Sequence, residues 1–119
     1  MNHVLITDDS WLQRMKIGQI LKGAGFKISE AADGVEAMEK IISDKPDCII
    51  LDLLMPEMDG IEVLEALAEK GIKLPVIIYS ADIQHTTRKK CMDLGATDFL
   101  NKPIDDETMI KTIREILDG

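Results

Sequence analysis

Residues 47–60 read DCIILDLLMPEMDG. Four consecutive apolar residues, Cys48 to Leu51, are closed by a carboxylate, Asp52, and then by a loop punctuated by Pro56 and Gly60. A short, non-alternating, partly β-branched run of this kind fits a strand buried on both faces, as strands of parallel sheets are. A carboxylate at the end of such a run is costly to bury unless something offsets its charge. Asp52 therefore marks the strand end where chemistry is to be sought.

Four similar runs lie around this one: His3–Thr7, Lys27–Ala31, Val76–Tyr79 and Thr97–Leu100. Between them the apolar period changes to that of helices. Ile17, Ile20, Leu21 and Ala24 share one face, as do Gly34, Met38, Ile41 and Ile42. A third helix carries Leu64, Leu67 and Ala68, and the last carries Met109, Ile113, Ile116 and Leu117. Ile83–Leu94 is the weakest pattern, because Thr86 to Lys90 is entirely polar; it predicts a helix thinly buried on one side. Gly23 and Gly25, Gly71 and Gly95 close helices. Asp33 fits an N-cap, with Glu36 placed to complete a capping box. Five β-α units result, with helices on both faces of a parallel sheet. In such a fold the functional crevice lies outside the carboxyl ends of the strands.

The bulk numbers narrow the class. A chain of 119 residues fits one domain, residues 1–119. Its formal net charge is -8, which disfavours a nucleic-acid surface. The only basic run, Arg88, Lys89 and Lys90, reads as a solvated helix face. No apolar stretch is long enough to span a bilayer, and Met1 leads straight into a strand-like run rather than a signal peptide. Cys48 and Cys91 have neither disulfide-framework nor metal-ligand spacing. The expected location is the cytoplasm. His3, at a strand start, and His85, in the first turn of a helix, are read as having no chemical role.

The strand ends hold the chemistry. Asp8 and Asp9 close HVLITDD, Ser80 closes VIIYS and Lys102 closes TDFLNK. With Asp52 they would meet at one sheet edge. Taken alone, Asp9 or Ser10 also reads as a cap for the first helix. Three adjacent carboxylates raise one another's proton affinity, and a hard cation relieves this. Mg²⁺, with Mn²⁺ as a substitute, takes oxygen ligands and keeps several waters. Asp9 and Asp52 are expected to bind it directly, Asp8 through a water, and Leu54 through its carbonyl. One Asp52 oxygen is then left to attack phosphorus, with Lys102 neutralising equatorial phosphoryl oxygens and Ser80 hydrogen-bonding one of them. The Lys102–Pro103 bond is a candidate for cis geometry.

The motifs ITDDS at 6–10, LDLLMPEMDG at 51–60, YSA at 79–81 and DFLNKP at 98–103 resemble those of the receiver domains of two-component response regulators, in particular the single-domain chemotaxis type. The resemblance covers essentially the whole chain. It implies a flavodoxin-like (βα)5 fold with strand order 2-1-3-4-5. It implies that Asp52 is phosphorylated by a sensor histidine kinase or a histidine phosphotransfer domain, that Asp8 and Asp9 are the acidic pair, and that Ser80 and Lys102 are the hydroxyl and the lysine. Phe99 matches the aromatic switch position; from the residues alone it reads as a core aromatic. The implied mechanism draws Ser80 inward on phosphorylation, lets the Phe99 ring turn in, and alters the face of the fourth helix, fifth strand and fifth helix for a phosphorylation-dependent protein target.

Two positions depart from common family members. Leu54 is apolar and Asp82 acidic, and both side chains flank the water route to the phosphoryl group. Leu54 is expected to give no help in orienting that water. Trp11, Leu12 and Met15 lie off the core face of the first helix, beside the acidic pair, and Trp11 and Met15 are read as a docking anchor for the phosphodonor.

The chain is expected to catalyse only its own phosphorylation and dephosphorylation, and so not to be an enzyme. Other readings remain. An Mg²⁺-dependent aspartate-nucleophile phosphatase would carry its nucleophile near the first strand with a second acid two residues on, whereas here Asp8 and Asp9 are adjacent. A flavodoxin-like cofactor carrier would need a phosphate-binding loop where Asp8-Asp9-Ser10 stands. The same residues also fit a phosphorelay intermediate, and the chain, ending right after its last helix, is expected to be either naturally solitary or the receiver portion of a longer transcriptional regulator.

Overall fold

The apolar runs do become strands, and the helical patterns fill the gaps between them. The structure, a computed structural model, describes residues 2–81 and 84–118. The order is β1 (His3–Thr7), α1 (Trp11–Gly23), β2 (Lys27–Ala31), α2 (Gly34–Asp44), β3 (Cys48–Leu51), α3 (Gly60–Glu69), β4 (Val76–Ser80), α4 (His85–Asp93), β5 (Asp98–Asn101) and α5 (Asp106–Asp118). The strands form one sheet in the order β2-β1-β3-β4-β5. All neighbouring pairs are parallel. The doubly wound fold expected from the sequence is the fold observed.

Strand order explains the burial. Each residue of β3 and β4 is buried, and β1 is buried after His3. β2 and β5 lie at the sheet edges and are partly exposed, so the expectation of strands covered on both faces holds only for the central three. Val4, Ile6, Ile50, Ile77 and Tyr79 pack with Ile17 and Leu21 of α1 and Met109 and Ile113 of α5. On the opposite face Leu5, Ile49, Leu51 and Ile78 pack with Met38 and Ile41 of α2, Val63, Leu64 and Leu67 of α3, and Cys91 of α4. A fully buried aliphatic side chain such as Ile113 or Ile78 contributes roughly 1.5–3 kcal/mol.

Local differences from the sequence reading have simple causes. Ile42, assigned to the α2 core face, is 56% exposed. The buried stripe is Gly34, Ala37, Met38 and Ile41, and the next residue has already turned off it. Ala68 likewise faces solvent near the end of α3. Asp33 caps α2 by accepting from the Glu36 N–H at 2.8 Å. The reciprocal box occurs instead at α3, where Asp59 and Glu62 bond each other's backbone N–H, while the Glu36 carboxylate faces Lys40 at 3.5 Å. The α4 expected from Ile83 begins at His85; Ile83 and Asp82 lie outside the described residues. Both cysteines are buried. Burial, with Asp47 nearby, pushes the Cys48 thiol up to about 12, which leaves it inert. Among the described residues no helix is long and apolar enough to cross a membrane.

Candidate functional site: an acidic cleft at the carboxyl edge

The register brings the acids together. β1 lies beside β3 with Thr7 opposite Leu51, so the residues that follow, Asp8 and Asp52, leave the sheet side by side. The Asp52 N–H donates to the Thr7 carbonyl at 3.0 Å. Asp8, Asp9 and Asp52 offer carboxylate oxygens that all lie within 4.8 Å of one another. Asp8 and Asp52 are buried and Asp9 is exposed, so the cluster runs from the protein interior to its surface at the carboxyl edge.

Lys102 reaches in from the end of β5. Its Nζ donates to Asp8 Oδ2 at 2.9 Å and to Asp52 Oδ2 at 3.4 Å. Two further contacts aim it: its N–H donates to the Ser80 carbonyl at 2.8 Å, and its ammonium sits 5.2 Å from the centroid of the Tyr79 ring. The Lys102–Pro103 peptide is cis. Ser80 closes β4, is fully buried, and pairs with Asn101 of β5.

The electrostatics are unbalanced. Burial raises the proton affinity of Asp52, Lys102 works against this, and Asp8 adds to it; the net shift is upward. Burial opposes the charged form of Lys102, but Asp8 and Asp52 together outweigh it and hold the ammonium above its ordinary value. Three carboxylates against one ammonium leave two negative charges in the cluster. Clustered hard oxygens with excess negative charge fit Mg²⁺ or Mn²⁺ and fit no soft metal. The donor set thus passes the test that the sequence expectation posed.

The remaining predicted residues fall as follows. Leu54 follows Asp52 closely, with its N–H donating to Asp52 Oδ1 at 3.3 Å and its side chain 71% exposed. Trp11 and Leu12 are exposed. Met15 is half-buried and lines a shallow groove with Trp11, Arg14 and Ile28. Phe99 is only 4% exposed and lies in the core cluster with Cys91 and Ala96, as its residue type alone leads one to expect. The Arg88 guanidinium lies 5.8 Å from its centroid. Phenylalanine has no hydroxyl to keep near water, so the inward position is its natural resting place.

Sequence reasoning missed Arg14. Its Nη1 donates to the Asp8 carbonyl at 2.6 Å and its Nε to Glu30 at 3.1 Å, which ties the acidic turn to β2. An arginine in the first turns of α1 gives no sign of this until β2 is placed beside β1. Ser10 does cap α1, accepting from the Gln13 N–H at 3.3 Å, while Asp8 accepts from the Ser10 N–H at 2.8 Å.

Comparison with known proteins gives a consistent outcome. The family model described as the response regulator receiver domain matches residues 4–114. The chain is 37% identical over 114 residues to the response regulator MprA of Mycobacterium ulcerans, covering 96% of this chain and 49% of that protein. It thus spans about half the length of the curated relatives it matches. Among solved structures, it superposes on the Francisella response regulator 1452 receiver domain with a TM-score of 0.95 at 30% identity, covering 99% of this chain and 98% of that one. It superposes on the Vibrio cholerae chemotaxis protein CheY4 with a TM-score of 0.91 at 33% identity, covering 98% and 99%.

Proposed function

This chain belongs to the response regulator receiver domain family of two-component signalling, and from that premise we propose that it is a switch phosphorylated on Asp52. The observation that carries the reading is the Asp8–Lys102–Asp52 contact set at the carboxyl edge of the sheet, with ammonium-to-carboxylate distances of 2.9 and 3.4 Å. That arrangement supplies a nucleophile, a cation for equatorial oxygens and a pocket for hard metal ions within one cleft.

Asp9, Asp52 and the Leu54 carbonyl would hold Mg²⁺ directly, with Asp8 acting through a water. When bound, Mg²⁺ offsets negative charge on the transferring phosphoryl group. The chain's own residues do the rest. An Asp52 oxygen forms the new P–O bond as the P–N bond of a donor phosphohistidine breaks, and the electron pair returns to the imidazole nitrogen. Lys102 stays with the charge that moves onto the phosphoryl oxygens, and Ser80 donates its hydroxyl to one of them. Loss of the group needs a positioned water. The Leu54 side chain offers that water no hydrogen bond, so hydrolysis depends on other groups.

The donor is a histidine kinase or phosphotransfer domain, and Trp11 with Met15 forms its landing point beside Asp9. The output is an altered surface of α4, β5 and α5, around a Phe99 ring that is already inside, read by a protein target. No separate substrate is turned over. A specific observation favours a second context: the curated relatives are about twice as long, so the same switch also suits a longer regulator.

Two measurements test this. With Mg²⁺ and a small-molecule phosphodonor, the wild type should take up one phosphoryl group on Asp52 without sustained release of phosphate from monoesters; steady turnover of many monoesters would instead identify a phosphatase. The double variant Trp11→Ala, Met15→Ala should accept phosphate normally from the small donor but slowly from the cognate protein. Equal rates from the protein donor would rule out docking at this patch.

A further inference from the structure

The loop between β3 and α3 carries the Leu54 carbonyl, and two glycines clamp it. At its base the Gly60 N–H donates to the Leu53 carbonyl at 3.1 Å. A Cβ on Gly60 would stand 2.6 Å from the Asp52 carbonyl oxygen and 2.9 Å from the Leu53 Cα. At its far side the Gly34 N–H, at the start of α2, donates to the Met58 carbonyl at 3.0 Å. A Cβ on Gly34 would lie 2.2 Å from that oxygen, 2.7 Å from the Met58 Cβ and 2.8 Å from its carbonyl carbon. Most of these atoms are backbone, so no rotamer change relieves the clash.

Gly34 is unlike the glycines that end helices. Gly25, Gly71 and Gly95 have φ of +94°, +67° and +106° with open space where a Cβ would be. Gly34 is not among the positive-φ residues; proximity to Met58, not backbone conformation, demands glycine there. The contact also sits against a strained turn. Glu57 has φ of 65°, and the Met58 N–H donates back to the Pro56 carbonyl at 2.7 Å. Such a tight three-residue turn is held only where its surroundings fix it. The Asp59–Glu62 capping box fixes the α3 side, and Gly34 fixes the α2 side.

We propose that Gly34 is a positioning residue for the cation pocket. The close approach of α2 to Met58 sets the path of residues 53–59, and with it where Leu54, whose N–H already donates to Asp52 Oδ1 at 3.3 Å, would place its carbonyl for the ion. The inference rests on the reading of that cleft as an Mg²⁺ site. Gly34 touches none of the reacting groups; it acts through the loop. General helix propensity favours alanine over glycine, so propensity and the clamp predict opposite consequences for the same substitution.

The test is Mg²⁺ titration of wild type, Gly34→Ala and Ala37→Gly, read by calorimetry and by fluorescence of Trp11, the only tryptophan. Gly34→Ala should raise the Mg²⁺ Kd by about tenfold or more, the usual scale for groups that orient metal ligands. Ala37→Gly weakens the same helix but leaves the clamp, and should bind Mg²⁺ as wild type does. Equal Kd values for Gly34→Ala and wild type would overturn the proposal, as would an equal loss in Ala37→Gly. Absence of Mg²⁺ binding by wild type would overturn the pocket reading itself. If Gly34→Ala does not fold, hydrogen exchange of the Gly34 amide in wild type decides. Exchange through an opened clamp that cannot bind the ion should slow about tenfold at Mg²⁺ ten times above Kd; an unchanged rate would overturn the proposal.

Discussion

The β3–α3 loop and the α4 segment leave the same edge of the same sheet, and they are built in opposite ways. The first is pinned at Gly60, at Gly34 and by a capping box, beneath a helix that buries Val63, Leu64 and Leu67. The second leads to α4, whose N-cap Gln84 makes no side-chain capping bond and whose one buried residue is Cys91. A pocket that must hold hard-oxygen ligands in fixed positions needs the first kind of support. The proposed output surface, with two packings of similar energy, needs the second, because strongly held elements do not shift. In this molecule the contrast is between the β3–α3 loop and the α4 helix.

The largest expected effect breaks the rigid region by its charge. Lys102→Ala leaves Asp8 and Asp52 buried together without their ammonium, at side-chain exposures of 4% and 11%. The loss should be roughly 3–5 kcal/mol at neutral pH by denaturant unfolding, shrinking as the acids protonate at low pH. Where the acids are ionised, the contribution of the Lys102 ammonium is complete below its ordinary pKa of 10.5, and on the alkaline side it is lost only as pH climbs past its raised value. Asp52→Asn should do the reverse. The proton affinity of Asp52 is raised in the fold, so stability falls as pH rises from its ordinary 3.8 toward the raised value, and the penalty is in full force only above that raised value. Removing the charge should therefore raise stability as pH climbs through that range, with no gain below pH 3.8. A destabilised Asp52→Asn protein at pH 7 would show that the cleft is less crowded with charge than its geometry indicates.

The smallest effect sharpens the contrast from the other side. Gln84→Asp gives α4 a capping side chain and should stabilise that helix by about 0.5–1 kcal/mol. Hydrogen exchange should slow in α4 and stay unchanged in α3. If α3 and α4 already exchange at the same rate in wild type, the proposed difference between the two regions does not exist.

Much of this arrangement is legible in the chain, for definite reasons. Val4–Thr7, Cys48–Leu51 and Val76–Ser80 announce themselves because central parallel strands tolerate no polar face. Asp8, Asp52, Ser80 and Lys102 stand out because each ends such a run. The weakness of α4 is written in Thr86–Lys90. What stays hidden is contact that only the folded arrangement creates. Gly34 reads as the first residue of a helix until Met58 is placed against it, and Arg14 reads as a surface cation until its bond to the Asp8 carbonyl is seen. Phe99 shows a different limit: a position in a motif says which residue takes part, but the side chain's own polarity decides where it rests, and here that is the core.

The most direct test is intact-protein mass after reaction with a small-molecule phosphodonor, with Mg²⁺ and with the ion chelated, for wild type and Asp52→Ala. One added phosphoryl group is expected in wild type with Mg²⁺, far less after chelation, and none in Asp52→Ala. Full labelling of Asp52→Ala, or labelling of wild type indifferent to Mg²⁺, would contradict it.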